Sequence, residues 1–337
     1  MSGQTAQDNA HDREPERMNR RTFLGAAGAA AITGAAMKVA PSFAMDGKRR
    51  FGIQLWSVAK MLSTDFEGTI AMLAGLGYRE LETYGPYTFS DPRQIEGWKK
   101  TAEMVGFSGS GFFGQSTAQI NAVFAEHDLT VPSMHTDLFT LQTRMGPLAE
   151  AARALGATYV TLPSLPADQR ATVDDYKRAA DLFNGIGEDA TRHGVRFAYH
   201  NHGYGLVPVD GKVPLDTLLD ATDPAHVFFE MDTYWTTAGG ADPKDYLARY
   251  KGRYRMMHLK DMKGQHRFAG DGGAPSDWIS MFPHLTYLGD GSLDMAGIIA
   301  AAKESGVEHF FVEQDRADDL IVAITGSANY MKKIGFE

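Results

Sequence analysis

Phe228-Phe229-Glu230-Met231-Asp232-Thr233 is an apolar run that ends on two acids. It reads as a buried strand whose last residues emerge at a polar rim. Three other short runs end in the same way: Phe197-Ala198-Tyr199-His200-Asn201-His202, Met256-Met257-His258-Leu259-Lys260 and Phe310-Phe311-Val312-Glu313. Each has strand-forming character and finishes on a histidine or a charged side chain. Separated by helix-like segments, such endings fall on one face of a parallel barrel, where barrels of this kind build their sites. Buried charge is too costly to recur at strand ends without a purpose.

Outward from this stretch, the chain alternates apolar runs with amphipathic segments from Arg50 on. Strands are expected at 51–56, 78–83, 129–135, 157–162, 195–201, 226–232, 254–260 and 308–313, and helices at 66–76, 145–155, 174–193 and 295–305. Gly77, Gly156, Gly194 and Gly306 stand where helices should stop. Near-continuous apolar strands argue for a parallel sheet covered on its outside. Eight units in about 290 residues argue for α/β architecture closed into a (β/α)8 TIM barrel, which needs about 250. No GxGxxG follows the first strand, which weakens the open dinucleotide-binding alternative. Two segments break the alternation. Residues 106–114 read as a flexible insertion near the second unit. Residues 263–289 are long and rich in Gly, Asp and Pro, with Trp278 and Phe282, and read as a lid or substrate wall.

With 337 residues, 43% of them hydrophobic and 22% charged, the composition fits one large globular domain, expected at 45–337. The net charge of −9 and the lack of a basic block exclude nucleic acid as a partner. The absence of cysteine excludes disulfides, thiolate metal sites and cysteine nucleophiles. Residues 1–44 are expected to be a leader rather than fold. Arg20-Arg21-Thr22-Phe23-Leu24, an Ala/Gly-rich apolar stretch and Ser42-Phe43-Ala44 match a twin-arginine signal with a small-x-small cleavage site. The mature protein is then periplasmic or secreted, delivered by the twin-arginine export machinery. No membrane span is expected after processing, and self-association into a homo-oligomer stays open.

Side chains on a strand alternate faces, so Glu230 pairs with Asp232, His200 with His202, and His258 with Lys260. Asp232, His258, Glu313 and one of His200 and His202, with His200 taken first, form a nitrogen-and-oxygen ligand set. Imidazole and carboxylate without sulfur suit one divalent metal, Mn²⁺ ahead of Zn²⁺, Co²⁺ or Fe²⁺. Glu82 and His135, at the ends of the second and third strands, are candidate acid/base groups or substrate hydroxyl contacts.

At these residues the chain resembles the xylose isomerase-like TIM-barrel superfamily, in its sugar phosphate isomerase/epimerase branch. Met231-Asp232-Thr233-Tyr234-Trp235 is similar to the segment whose Asp binds the metal. Met257-His258-Leu259-Lys260-Asp261 is similar to the His-bearing seventh strand, and Val312-Glu313 to the Glu that closes the site. Leu288-Gly289-Asp290-Gly291-Ser292-Leu293-Asp294 is similar to the Gly-rich segment before the last helix. One departure stands out. The ketose 3-epimerases of this superfamily carry a Glu on the fifth strand as ligand and acid/base, where this chain has Tyr199-His200-Asn201-His202. The two-glutamate epimerase mechanism therefore does not carry over whole.

The resemblance implies an isomerase or epimerase of a sugar or keto-sugar that abstracts a proton next to a carbonyl and passes through an enediolate. Glu313 would be ligand and proton shuttle. Glu82, His135 or His202 would be a second acid/base, and Lys260 would steady the oxyanion. His202, Trp56, Tyr234 and Trp235 would bind the sugar. The second expectation is a lyase or hydrolase acting on 3-keto-glycosides, and the third a non-catalytic carbohydrate-binding barrel. A phosphodiesterase related to endonuclease IV would need a basic groove that this chain lacks.

Overall fold

The computed structural model describes residues 49–337, so the expected leader lies outside the described residues. All eight expected strands form, as Gly52–Gln54, Glu80–Tyr84, Thr130–His135, Tyr159–Leu162, Arg196–His200, Val227–Asp232, Tyr254–Leu259 and His309–Val312. They are parallel and close into one barrel, in which the first strand pairs with both the second and the eighth. Gly52 permits that closure, because a Cβ there would lie 2.6 Å from the Glu80 carbonyl oxygen. This is a (β/α)8 barrel.

Local chemistry sets the boundaries. The long helix Val173–Arg192 opens on a reciprocal pair, Thr172 capping the Asp175 N–H while Asp175 caps Thr172. Gly77, Gly156 and Gly306 follow their helices with positive φ of 100°, 76° and 95°, a conformation that costs glycine little. The first strand is shorter than expected. The Gln54 side chain accepts the Trp56 N–H and turns the chain into the short helix Leu55–Val58, so Trp56 belongs to the rim and not to a strand.

The twofold strand period explains why the site lies where it does. Tyr159, Ala198, Phe228, Met256 and Phe311 form a small apolar cluster of their own. Two residues further along the same strands come Thr161, His200, Glu230, His258 and Glu313, all buried. The barrel lumen is thus an apolar floor under a polar layer. The opposite strand faces (Phe197, Tyr199, Phe229, Met231, Met257, Phe310, Val312) belong to the large core.

The two irregular segments are more structured than their composition implies. Residues 106–114 were expected to be flexible, yet Gly111 N–H donates to the Tyr84 carbonyl at 2.8 Å, and the Tyr84 hydroxyl to the Gly109 carbonyl at 2.9 Å. Residues 263–289 hold the helix Pro275–Met281, and Leu285–Thr286 pairs antiparallel with Asp261–Met262. No helix among the described residues is long and apolar enough to cross a membrane.

Candidate active site

Strand register brings the polar layer together. His200 lies beside Glu230 and Asp232 beside His258. Across the lumen, His258 Nε2 is 2.6 Å from Glu82 Oε2 and 3.3 Å from Glu230 Oε2. His135 Nε2 is 2.8 Å from Glu230 Oε2 and 3.1 Å from Glu82 Oε2, and His200 Nδ1 is 3.2 Å from Glu230 Oε2. Nearer the mouth, the Lys260 ammonium lies 3.0 Å from Asp232, 2.6 Å from Glu313 and 2.6 Å from Asp315. His258 bridges the two halves, since its Nδ1 is 2.7 Å from Glu313 Oε2.

Three carboxylates (Asp232, Glu313, Asp315) therefore share one ammonium, while Glu82 and Glu230 meet the imidazoles of His135, His200 and His258. Burial opposes charge on Glu82, yet His135 and His258 hold it well below the usual carboxylate range. Glu230 moves up, through burial and the nearness of Glu82. Burial works against a proton on His135, but Glu82 and Glu230 push it up to about 9. His258 rises against the same burial because Glu230, Glu313 and Glu82 face it. Burial and neighbouring cations lower His200, and they take His202 down to about 3. Burial also raises Asp315 to about 6 against the pull of Lys260.

The residues fit a divalent cation. Glu82 Oε1, Glu230 Oε1 and His200 Nε2 are buried without a hydrogen bond. Orphaned polar atoms of this kind are rare in folded proteins unless something binds them. Two overlapping groups have ligand atoms within 4.8 Å of one another: His135, His200, Glu230 and His258, and Asp232, His258 and Glu313. Of the four expected ligands, three fall in the second group, and His200 falls in the first, with its Nε2 4.0 Å from Asp232.

The other expected site residues separate by position. Glu82, His135 and Lys260 are in the centre. His202 stands at the mouth, its ring 5.5 Å from that of Trp278. Trp235 is buried below it, with Lys260 5.5 Å from its ring centre. Tyr234, expected to offer surface to a sugar, is fully buried, and its hydroxyl donates to the Met281 carbonyl. Trp56 joins an aromatic wall with Tyr84, Trp98 and Phe107. Two central groups, Glu230 and Asp315, lie outside the expected set. Glu230 carried the signal, since it shares a strand face with Asp232. Asp315 lies past its strand, where periodicity says nothing.

The segment 263–284 closes over this mouth. Arg170 donates to the Gly273 carbonyl at 2.8 Å while its guanidinium lies 3.8 Å over the Tyr204 ring. Asp271 accepts the Gly205 N–H at 3.0 Å, and Phe268 stacks on Trp235. The segment is a wall of the site.

A family model described as xylose isomerase-like TIM barrel matches residues 73–332. The chain belongs to that family. Among relatives of this barrel, an inosose dehydratase of Lacticaseibacillus casei is 30% identical over 155 residues, 43% of this chain and 50% of that protein. The chain thus spans about half the length of that relative. An inosose dehydratase of Geobacillus thermodenitrificans is 25% identical over 264 residues, 76% of this chain and 84% of that one. Among solved structures, a sugar phosphate isomerase/epimerase of Parabacteroides distasonis aligns with a TM-score of 0.64 at 22% identity, covering 85% of this chain and 94% of its own. A structure named IOLI, with a zinc atom bound, aligns with a TM-score of 0.59 at 14% identity, covering 85% and 96%. At these identities the structural likenesses speak for the fold.

Proposed function

We propose that this protein is a divalent-metal-dependent enzyme of keto-sugars, or of cyclic polyol ketones, that removes a proton next to the carbonyl and expels a β-oxygen substituent. The observation that carries the reading is the buried Lys260, ringed by Asp232, Glu313 and Asp315 beside an imidazole-and-carboxylate metal-ligand set. The sequence alone put isomerisation first and elimination second. The relatives named as dehydratases favour the reverse order.

His258 and the groups about it would hold the cation. Bound there, it would act as a Lewis acid that polarises the substrate carbonyl. The chain's own residues do the rest. Lys260 sets a fixed positive charge where negative charge develops on the carbonyl oxygen. Asp315 is the most exposed carboxylate of the group, with 14% of its side chain accessible, so it is the one that meets substrate. It takes the proton from carbon. As the carbon–carbon double bond forms and the carbon–oxygen bond breaks, that proton passes to the leaving oxygen, which departs as water or an alcohol. Trp278 and the rest of the wall at 263–284 exclude bulk water.

The decisive experiment incubates the metal-loaded protein with inososes, 3-keto-glucosides and free ketoses in D₂O, followed by NMR. Release of water or aglycone with an unsaturated ketone is the expected result. Solvent deuterium in an epimer without cleavage would replace elimination by epimerisation. Cleavage in which the carbon next to the carbonyl keeps its hydrogen would remove proton abstraction altogether. His258→Ala should abolish both cation binding and turnover, since His258 belongs to both ligand groups.

Export is part of the same proposal and rests on Arg20-Arg21-Thr22-Phe23-Leu24 and Ser42-Phe43-Ala44. Exchanging both arginines for lysine should hold the unprocessed chain in the cytoplasm, while the unaltered chain should begin near Met45. An unaltered chain that stays unprocessed would end this reading.

A further inference from the structure

We propose that the aromatic wall above the first and second strands is a subsite for a flat, apolar substituent on the leaving oxygen, which then departs as an aryl-bearing alcohol rather than as water. This rests on the elimination reading above and names the class of substrate.

Strand period carries the wall to the site. Tyr84 is two residues past Glu82 and shares its face, one layer nearer the mouth, and its register partner is His135. Gln54 Nε2 donates to Glu82 Oε2 at 2.8 Å, and Gln54 Oε1 accepts the Trp56 N–H at 3.0 Å. One side chain thus fixes both a central carboxylate and the start of the wall. The wall also adjoins the base. Gln314 N–H donates to Ser57 Oγ at 2.9 Å, and Asp315 and Trp56 are the next residues on either side of that bond. Asp315 returns its proton to the leaving oxygen, so the substituent on that oxygen meets the Trp56 side of the mouth.

The chemistry of the wall selects the substituent. The Trp56 ring centre lies 5.3 Å from that of Tyr84, 6.3 Å from Trp98 and 5.2 Å from Phe107. Polar ring atoms are spent on backbone: Trp98 Nε1–H donates to the Ser108 carbonyl and the Tyr84 hydroxyl to the Gly109 carbonyl, both at 2.9 Å. A leaving sugar would bury hydroxyls there without partners, whereas a phenyl ring gains edge and face contacts. The wall is open to receive one. Trp98 stands half-buried on the helix Pro92–Val105, no residue of which is fully buried, and Ile95, one turn before it, is 38% exposed. For a 3-keto-glucoside the step balances. Asp315 takes the proton from the carbon between the carbonyl and the anomeric carbon, and that C–H pair becomes the new double bond. The anomeric C–O bond breaks, and the oxygen leaves with the proton as the alcohol.

The Mn²⁺-loaded protein is given benzyl and methyl 3-keto-glucosides. Their leaving alcohols are nearly equal in acidity, so a difference in kcat/KM reports the wall and not the bond broken. The benzyl substrate should be favoured by about 10–100-fold, the gain expected of one buried ring, and Trp98→Ala should cut that preference at least about fivefold. Equal turnover of the two, or a preference that Trp98→Ala leaves unchanged, overturns the subsite and leaves elimination standing. Loss of water from inososes with neither glucoside cleaved does the same. No elimination from any of them ends both readings. Should the variant fail to fold, saturation-transfer NMR of benzyl alcohol on the unaltered, metal-free protein decides. Transfer to the ring protons that the benzyl keto-glucoside displaces supports the subsite, and no transfer overturns it.

Discussion

Asp315 combines three properties at one residue: it contacts the Lys260 ammonium at 2.6 Å, it keeps a partly open side chain, and burial raises it to about 6. A base is most effective when its pKa lies near the working pH. Turnover per KM should therefore rise with pH through about 6, as Asp315 loses its proton. Asp315→Asn should lower kcat by roughly 10²–10⁴-fold and flatten that acid limb, because no proton acceptor remains at the position. A pH–rate profile of the two proteins checks it, and an unchanged limb in the variant would assign the base elsewhere. Glu313, two residues earlier, is held well below the carboxylate range by Lys260 and His258 despite its burial, so it stays ionised.

At the scale of elements, the site depends on loops being held to strands, and Asp261 shows how. It is fully buried and accepts backbone N–H bonds from Met262, Gly289, Gly291 and Leu293 at 2.8–3.3 Å. One carboxylate thus ties the end of the seventh strand to the Gly-rich segment before the helix Met295–Ser305. A Cβ on Gly291 would lie 2.1 Å from Asp261 Oδ1, so glycine is required for that approach. Asp261→Ala leaves several buried N–H groups unpaired and should destabilise the protein by about 2–4 kcal/mol. Amide exchange should quicken first across 285–293, which hydrogen-exchange mass spectrometry would read directly. A uniform rise across the barrel would show that the segment is not a separate unit of stability.

For the whole molecule, the buried histidines tie stability to pH in opposite directions. His202 lies at about 3 in the folded chain, below its ordinary value of 6.5. Its contribution is present above 6.5 and is lost as pH falls through about 3, because the unfolded chain then binds the proton more readily. His200 is lowered by the same burial and acts in the same sense. His135 lies at about 9, so its contribution is present below 6.5 and is lost as pH rises through about 9. Metal-free protein should accordingly be most stable close to neutrality. Each group contributes a slope of at most about 1.4 kcal/mol per pH unit. Urea unfolding of the metal-free protein from pH 4 to 10 tests this. A stability that does not fall on the alkaline side would show that Glu82 and Glu230 do not raise His135 in the fold.

What the sequence settled by itself is what depends on local period. Apolar runs ending in His, Asp and Glu mark the strands, helix-stopping glycines mark the units, and eight units require a closed barrel. Residues two apart share a face, which groups Glu230 with Asp232 and Phe228. The tertiary structure decided everything that crosses the barrel. Glu82 meets His258 176 residues away, and His135 meets Glu230 95 residues away, because strand register and closure fix those distances and no periodicity encodes them. The same holds for which nitrogen of His258 faces which carboxylate. It holds too for the place of Lys260 between Asp232, Glu313 and Asp315. Tyr234 and Trp235 are adjacent aromatics in the sequence. Only the wall formed by 263–284 makes one of them packing and leaves the other under the site, since burial belongs to whatever segment folds over a side chain and not to the side chain itself.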